Sequence, residues 1–140
     1  MFSIFNFLKS PFYWAMAIKR IHEGNNLDAY ISLNKLHEKF TKNNYKYYLL
    51  KGFVLLMLKE YEHSIKVLDY GLIAVNKNNL NNDEKRYLQK YIYSLIEMSY
   101  KMMDQTNNAE KTRIEMKKIS YSIDNIQERI IQLFPQRNTN

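Results

Sequence analysis

Between Tyr45 and Asn78 the chain reads YKYYLLKGFVLLMLKEYEHSIKVLDYGLIAVNKN, and its small residues stand where two helices would have to touch. Tyr48, Gly52 and Leu55 are followed by a polar turn around Lys59-Glu60, then by Tyr61, Ser64, Ile65, Leu68, Gly71 and Leu72. Gly52 has no Cβ to hold a neighbouring helix away. Ser64 and Gly71 allow the same approach on the second segment, while Ile65, Leu68 and Leu72 fill the space around them. Those five positions recur at helical spacing and so share a face. A close pair of antiparallel helices accommodates all of them, but one pair cannot bury its own apolar faces, so further helices are expected on either side.

This order of bulky and small residues resembles a tetratricopeptide repeat, two antiparallel helices in roughly 34 residues. Tyr48 stands where Trp is usual, Ser64 where Ala is and Leu68 where Phe is, while Lys51 replaces the expected Leu and Asn76 the closing Pro. The repeat is a divergent one. The resemblance implies an all-α fold in which antiparallel helix pairs stack as a short right-handed solenoid. One period upstream of Tyr48 sits Trp14, in a helix opened by Ser10-Pro11, Ser being a good N-cap and Pro suiting the first helical position. After a turn at Gly24-Asn25-Asn26, one residue shorter than the turn downstream, Ala29, Leu33, Leu36 and Phe40 form its partner helix. Beyond the polar loop Asn78 to Asn82, Asn82 or Asp83 caps a third first-helix carrying Tyr87, Leu88, Tyr91, Ile92, Leu95 and Ile96. The expected organisation is an apolar arm over residues 1–10 and a single helical domain over 11–134, ending in a flexible tail, 135–140. Within the domain, repeats fall at about 11–44 and 45–78, with a degenerate one at 83–118 and a terminal helix to 134.

From Ala109 onward the apolar or small positions run Ala109, Thr112, Met116, Ile119, Ile123, Ile126, Ile130, Leu133. Their steps alternate three and four, a heptad seam. No Gly or Pro interrupts it before Pro135, so the spacing predicts a helix from about Asn108 to Phe134, roughly 40 Å long. Met116, Ile119, Ile123, Ile126, Ile130 and Leu133 would either pair with a second copy as a coiled coil or pack back on the repeats as their cap.

The 140 residues include no Cys, which excludes disulfides, thiolate metal sites and a Cys nucleophile, and is compatible with a cytoplasmic protein. Three Gly and two Pro are too few for a turn-rich β protein. The three His (22, 37 and 63) show no paired spacing suited to a metal, the glycines form no phosphate loop and no nucleophile elbow is present. No catalytic residue, cofactor or metal is therefore expected. The net charge of +7 comes from 21 Lys and Arg against 14 Asp and Glu, spread along the chain. Lys35, Lys39, Lys42, Lys46 and Lys51, interleaved with Tyr45, Tyr47 and Tyr48, are read as a solvated face beside repeat-core tyrosines rather than a nucleic-acid platform. At the N-terminus, Phe2, Phe5, Phe7, Phe12 and Trp14 would suit a membrane interface, so residues 1–20 carry the alternative of a peripheral membrane contact. Lys9-Ser10-Pro11 splits the segment too early for a spanning helix.

In the family that the sequence resembles, the first helix of each repeat lines a groove that binds another protein. Carried over, that surface is Leu49, Phe53, Leu56 and Met57 in one repeat and Leu88, Ile92, Leu95 and Ile96 in the next. The Lys and Asn of carboxylate-clamping members are missing. The resemblance thus implies a non-enzymatic adaptor or small chaperone holding an amphipathic helix or an extended apolar segment of a partner. An apolar groove needs a cover: the N-terminal arm, the C-terminal helix folded back, or the partner. The same eight residues are also readable as plain core, and the alternative function is self-association through the heptads or the arm, or a peripheral membrane or nucleic-acid binder using the basic charge.

Overall fold

The computed structural model describes residues 4–119 and 126–135, and in these every regular element is a helix. α1 (Ile4–His22) and α2 (Asn26–Asn34) form a first hairpin, followed by a single turn, α3 (Glu38–Thr41). α4 (Tyr45–Met57) and α5 (Tyr61–Lys77) form the second hairpin, α6 (Asn82–Met102) and α7 (Thr106–Lys117) the third, and α8 (Ile126–Leu133) returns to the domain. Successive hairpins touch through α2 with α4 and α5 with α6, and α4 also meets α6.

The three hairpin turns have one geometry. Each is three residues long with its middle residue at positive φ: Gly24 at 75°, Lys59 at 65° and Asp104 at 57°. The following N–H reaches back to a carbonyl in the preceding helix, Asn25 to Arg20 at 2.8 Å, Glu60 to Leu55 at 2.9 Å and Gln105 to Tyr100 at 2.9 Å. This left-handed closure satisfies carbonyls that the helix end would otherwise leave unpaired. Aligning the hairpins on these residues brings Ala29, Ser64 and Ala109 to one position, all buried where the second helix meets the first. It brings Ala17, Gly52 and Glu97 to another, also buried. A third is tyrosine throughout: Tyr13, Tyr48 and Tyr93.

Packing is tightest in the second hairpin. Ser64 Oγ donates to the Gly52 carbonyl at 2.7 Å, and a Cβ on Gly52 would stand 2.4 Å from Leu68 Cδ2. At Gly71 three helices converge, since a Cβ there would be 3.3 Å from Tyr48 Cβ on α4 and 3.4 Å from Ile92 Cδ1 on α6. Lys51, the departure from the repeat pattern, bridges hairpins: its Nζ donates to Tyr47 Oη at 3.0 Å and lies 5.8 Å from the Tyr30 ring of α2. Asparagine opens three of the helices, and the cap of α6 is Asn81 rather than the expected Asn82 or Asp83. Asn25, Asn44 and Asn81 accept from the N–H groups of Asp28, Tyr47 and Glu84.

Four further expectations are corrected. Ser10-Pro11 does not open α1, which begins at Ile4 and holds Pro11 inside it; the Ser10 hydroxyl instead accepts the His37 N–H ahead of α3, at 3.1 Å. Ala29 to Phe40 is not one helix, because His37 is extended and its Nδ1 accepts the Lys39 N–H to start α3. Trp14 is not the counterpart of Tyr48; with the three turns equal in length that place belongs to Tyr13, and Trp14 faces α3 and α8. The helix over 108–134 is not continuous. α7 closes at Lys117, with Lys118 and Ile119 N–H bonded to Glu115 and Met116 carbonyls, and the Ile119 carbonyl accepts from Lys90 Nζ at 3.1 Å. Ala109 and Thr112 face α6 as the second helix of a hairpin, not as the start of a coiled-coil seam. Phe2, Ile123 and residues 136–140 lie outside the described residues.

Candidate functional site

The site grows from the apolar faces that α1 and α4 turn toward each other. Ile18 and Ile21 on α1 and Leu50 and Phe53 on α4 recur at helical spacing, and their burial needs a third element because neither helix covers the other's ridge. That element is α8. Ile130, Ile131 and Phe134 enter the cleft against Ile18, Ile21, Leu50 and Phe53 and leave no water-sized space between them. Ile130 is 0% and Phe134 6% exposed. The Phe134 ring also meets Trp14 edge-on at 5.8 Å. His22 Nε2 donates to the Phe134 carbonyl at 2.7 Å, taking one of the acceptors that the end of α8 leaves open. On its other side α8 touches α6.

Past Phe134 the same cleft widens into an open groove of about 720 Å³. Trp14, Ala15 and Ile18 line it from α1, Phe40 from α3 and Leu133 from α8, with Lys19 and Lys46 among its lining residues. Trp14 is the single tryptophan of the chain, so it reports on both the occupied and the open half. Phe12, 60% exposed, also lines the groove, and Leu8, one turn earlier on α1, is 66% exposed.

The residues carried over from the family resemblance lie elsewhere. Leu49, Phe53, Leu56, Leu88, Ile92, Leu95 and Ile96 are buried, and Met57 is half-buried. Phe53 alone of the eight lines the α8 cleft; the other buried ones offer no open surface in this structure. Of the heptad residues, Ile130 is buried in that cleft and Leu133 lines the open groove beside it. Met116 Sδ accepts from Ser94 Oγ on α6 at 3.0 Å, and Ile119 is half-buried after α7. Ile126 opens α8. The residues that line the open groove, Trp14, Ala15, Lys19, Phe40 and Lys46, were not assigned to it from the sequence. The signal was present in the spacing of Lys46, Leu50, Phe53 and Met57, which follows one face of α4 a single position away from the face read from Leu49.

Elsewhere the polar groups serve the fold. The Asp69 carboxyl is raised above the ordinary carboxylate range by partial burial. The Tyr48 phenol is raised by burial and then by Tyr47 and Tyr70, with Lys51 opposing; Tyr93 is raised by burial and by Glu115 and Asp69, with Lys118 opposing. No group of three metal-ligating side chains occurs among the described residues, and no described helix is long and apolar enough to cross a membrane. No family model, curated protein or solved structure matches the chain.

Proposed function

We propose that this chain is a non-enzymatic protein–protein interaction module, an adaptor or small chaperone working in the cytoplasm. In this reading its three hairpins are a divergent tetratricopeptide-like stack, and the cleft beside the first helices holds an amphipathic or apolar segment of another protein. The observation that carries the reading is that this cleft already accepts an amphipathic helix, α8, and continues past it as an open apolar groove. Helix-in-groove recognition uses the same physics: bulky side chains at helical spacing enter a preformed apolar cleft.

The test places a photo-crosslinking amino acid at Ala15, which is exposed in the groove, and at His63, exposed on α5 as a control. Irradiation of the full chain in its source cells should join Ala15, and not His63, to one recurrent protein identified by mass spectrometry. Products made only of two copies of this chain would replace the proposal with a self-associating subunit.

A second reading has its own observation, the exposure of Leu8 and Phe12 next to Lys9 at the start of α1. An amphipathic, basic helix face of this kind suits an anionic bilayer surface. Sedimentation with phosphatidylserine vesicles that weakens as salt rises would support it, and absence of binding at low salt would remove it.

A further inference from the structure

We infer that α8 is an internal ligand of the interaction cleft, and that the partner presents a helix with the same side-chain spacing, an aliphatic residue followed four positions later by an aromatic one, which displaces α8. The inference rests on the functional reading above and names the partner chemistry of that site.

Three observations carry it. First, the cleft selects that spacing: among the described side chains from Ile130 to Pro135, Ile130 on α8 and Phe134 just past its end are the buried ones. Second, α8 spans eight residues, about two turns, too few to stay helical in water without a partner. It is therefore formed only while it is docked. Third, the attachment is narrow. Apart from the cleft contacts, the described anchors are the His22 bond to the Phe134 carbonyl, the edge contact of Phe134 with Trp14 and one short contact with α6. The hairpins do not depend on α8 for the closure of their turns, because each is sealed by its own left-handed turn and backbone bond. An incoming helix longer than α8 would take the α8 positions and continue into the open groove over Trp14 and Phe40, gaining contacts that α8 does not make.

An internal ligand lowers apparent affinity by the fraction of molecules in which the cleft is free, so loosening α8 should tighten binding of the competitor. The experiment uses the full chain, unaltered and as His22→Ala, Phe134→Ala and Ile130→Asp. The probe is a side-chain-stapled, fluorescein-labelled peptide with the sequence of residues 126–135, read by anisotropy and by Trp14 emission. Unaltered protein should bind it saturably, and a peptide with Asp at both anchor positions should not bind. Affinity should rise in the order His22→Ala, Phe134→Ala, Ile130→Asp, reaching about tenfold or more over the unaltered chain. All variants should keep cooperative thermal unfolding.

Equal affinity across the series, or none, would overturn the inference. So would loss of cooperative unfolding in Phe134→Ala, which would make α8 an integral part of the core. Dimerisation of Ile130→Asp in light scattering, in place of peptide binding, would assign the cleft to a second copy. A Trp14 response to phosphatidylserine vesicles but not to the peptide would assign it to a membrane. A protein captured at Ala15 that the α8 peptide fails to displace would leave the functional reading standing and sink this inference alone.

Discussion

At Gly52 the second hairpin comes together as closely as two helices can. A methyl group would meet Leu68 at 2.4 and 2.5 Å, and Leu68 is fully buried with nowhere to retreat. Gly52→Ala would gain about 1 kcal/mol of helix propensity but impose overpacking worth about 1–3 kcal/mol, and the hydroxyl bond from Ser64 would be strained as the helices part. Gly71 makes a useful contrast, since its nearest approaches are 3.3 and 3.4 Å and end at a side-chain tip on one side. Denaturant unfolding should show Gly52→Ala destabilised and Gly71→Ala close to unaltered. Equal effects would mean that the Gly52 contact is looser than its geometry. Both glycines and Ser64 were legible as contact residues from composition and spacing, because a small residue at a helical period has few other uses. Lys51 was not legible. It breaks an apolar pattern, and only the folded chain shows Tyr30 and Tyr47 arriving from two helices to surround its ammonium group.

Helix ends and helix continuity separate what local pattern can reveal from what it cannot. Asn25, Asn44 and Asn81 cap α2, α4 and α6, but asparagine is abundant throughout the sequence, which dilutes each one as a signal. Asn81 is the strongest, with a 2.8 Å bond from the Glu84 N–H and a return bond from its Nδ2 to the Glu84 carboxylate. Asn81→Ala should therefore cost about 1 kcal/mol, and Asn81→Ser, which keeps an oxygen for the Glu84 N–H, should retain most of the stability, as read by thermal melts. The expected long C-terminal helix fails for a different reason. Alternating steps of three and four describe any helix with one buried stripe, so they cannot distinguish a coiled coil from α7 packed on α6 and α8 packed in a separate cleft. The turn at Lys118-Ile119 carries no Gly or Pro to announce it. A chain ending at Ile119 should keep the three hairpins and most of its helical circular dichroism, yet bind an apolar dye, because Ile18, Ile21, Leu50 and Phe53 lose their cover. Dye binding equal to that of the full chain would show the cleft closing without α8.

Across the whole molecule, the repetition lies in the turns rather than in a fixed period. Turn centres at Gly24, Lys59 and Asp104 are unequally spaced, because α6 starts much further ahead of its turn than α4 does. A search for one constant interval therefore finds the second hairpin, misaligns the first by one residue and sees the third only as degenerate. Alignment on the turns recovers Tyr13, Tyr48 and Tyr93 as one position, where Tyr13 meets Lys35 at the end of α2, Tyr48 meets Tyr70 on α5 and Tyr93 feels the charge of Glu115 on α7. Two of these tyrosines give the fold a pH limit. The Tyr48 and Tyr93 phenols, like Tyr45 on α4, are held above the ordinary value near 10, chiefly by burial. Below pH of about 10 the phenols are neutral in both folded and unfolded chains, and their contribution is fully present. Above it the unfolded chain ionises first, so stability falls as pH rises through the raised folded values. Denaturant midpoints measured from pH 8 to 11 should be level and then decline, with part of the tyrosine absorbance change appearing only as the chain unfolds. Tyr48→Phe combined with Tyr93→Phe should flatten that decline. A decline unchanged in the double variant would assign alkaline unfolding to other groups and remove the repeated tyrosine position from the account.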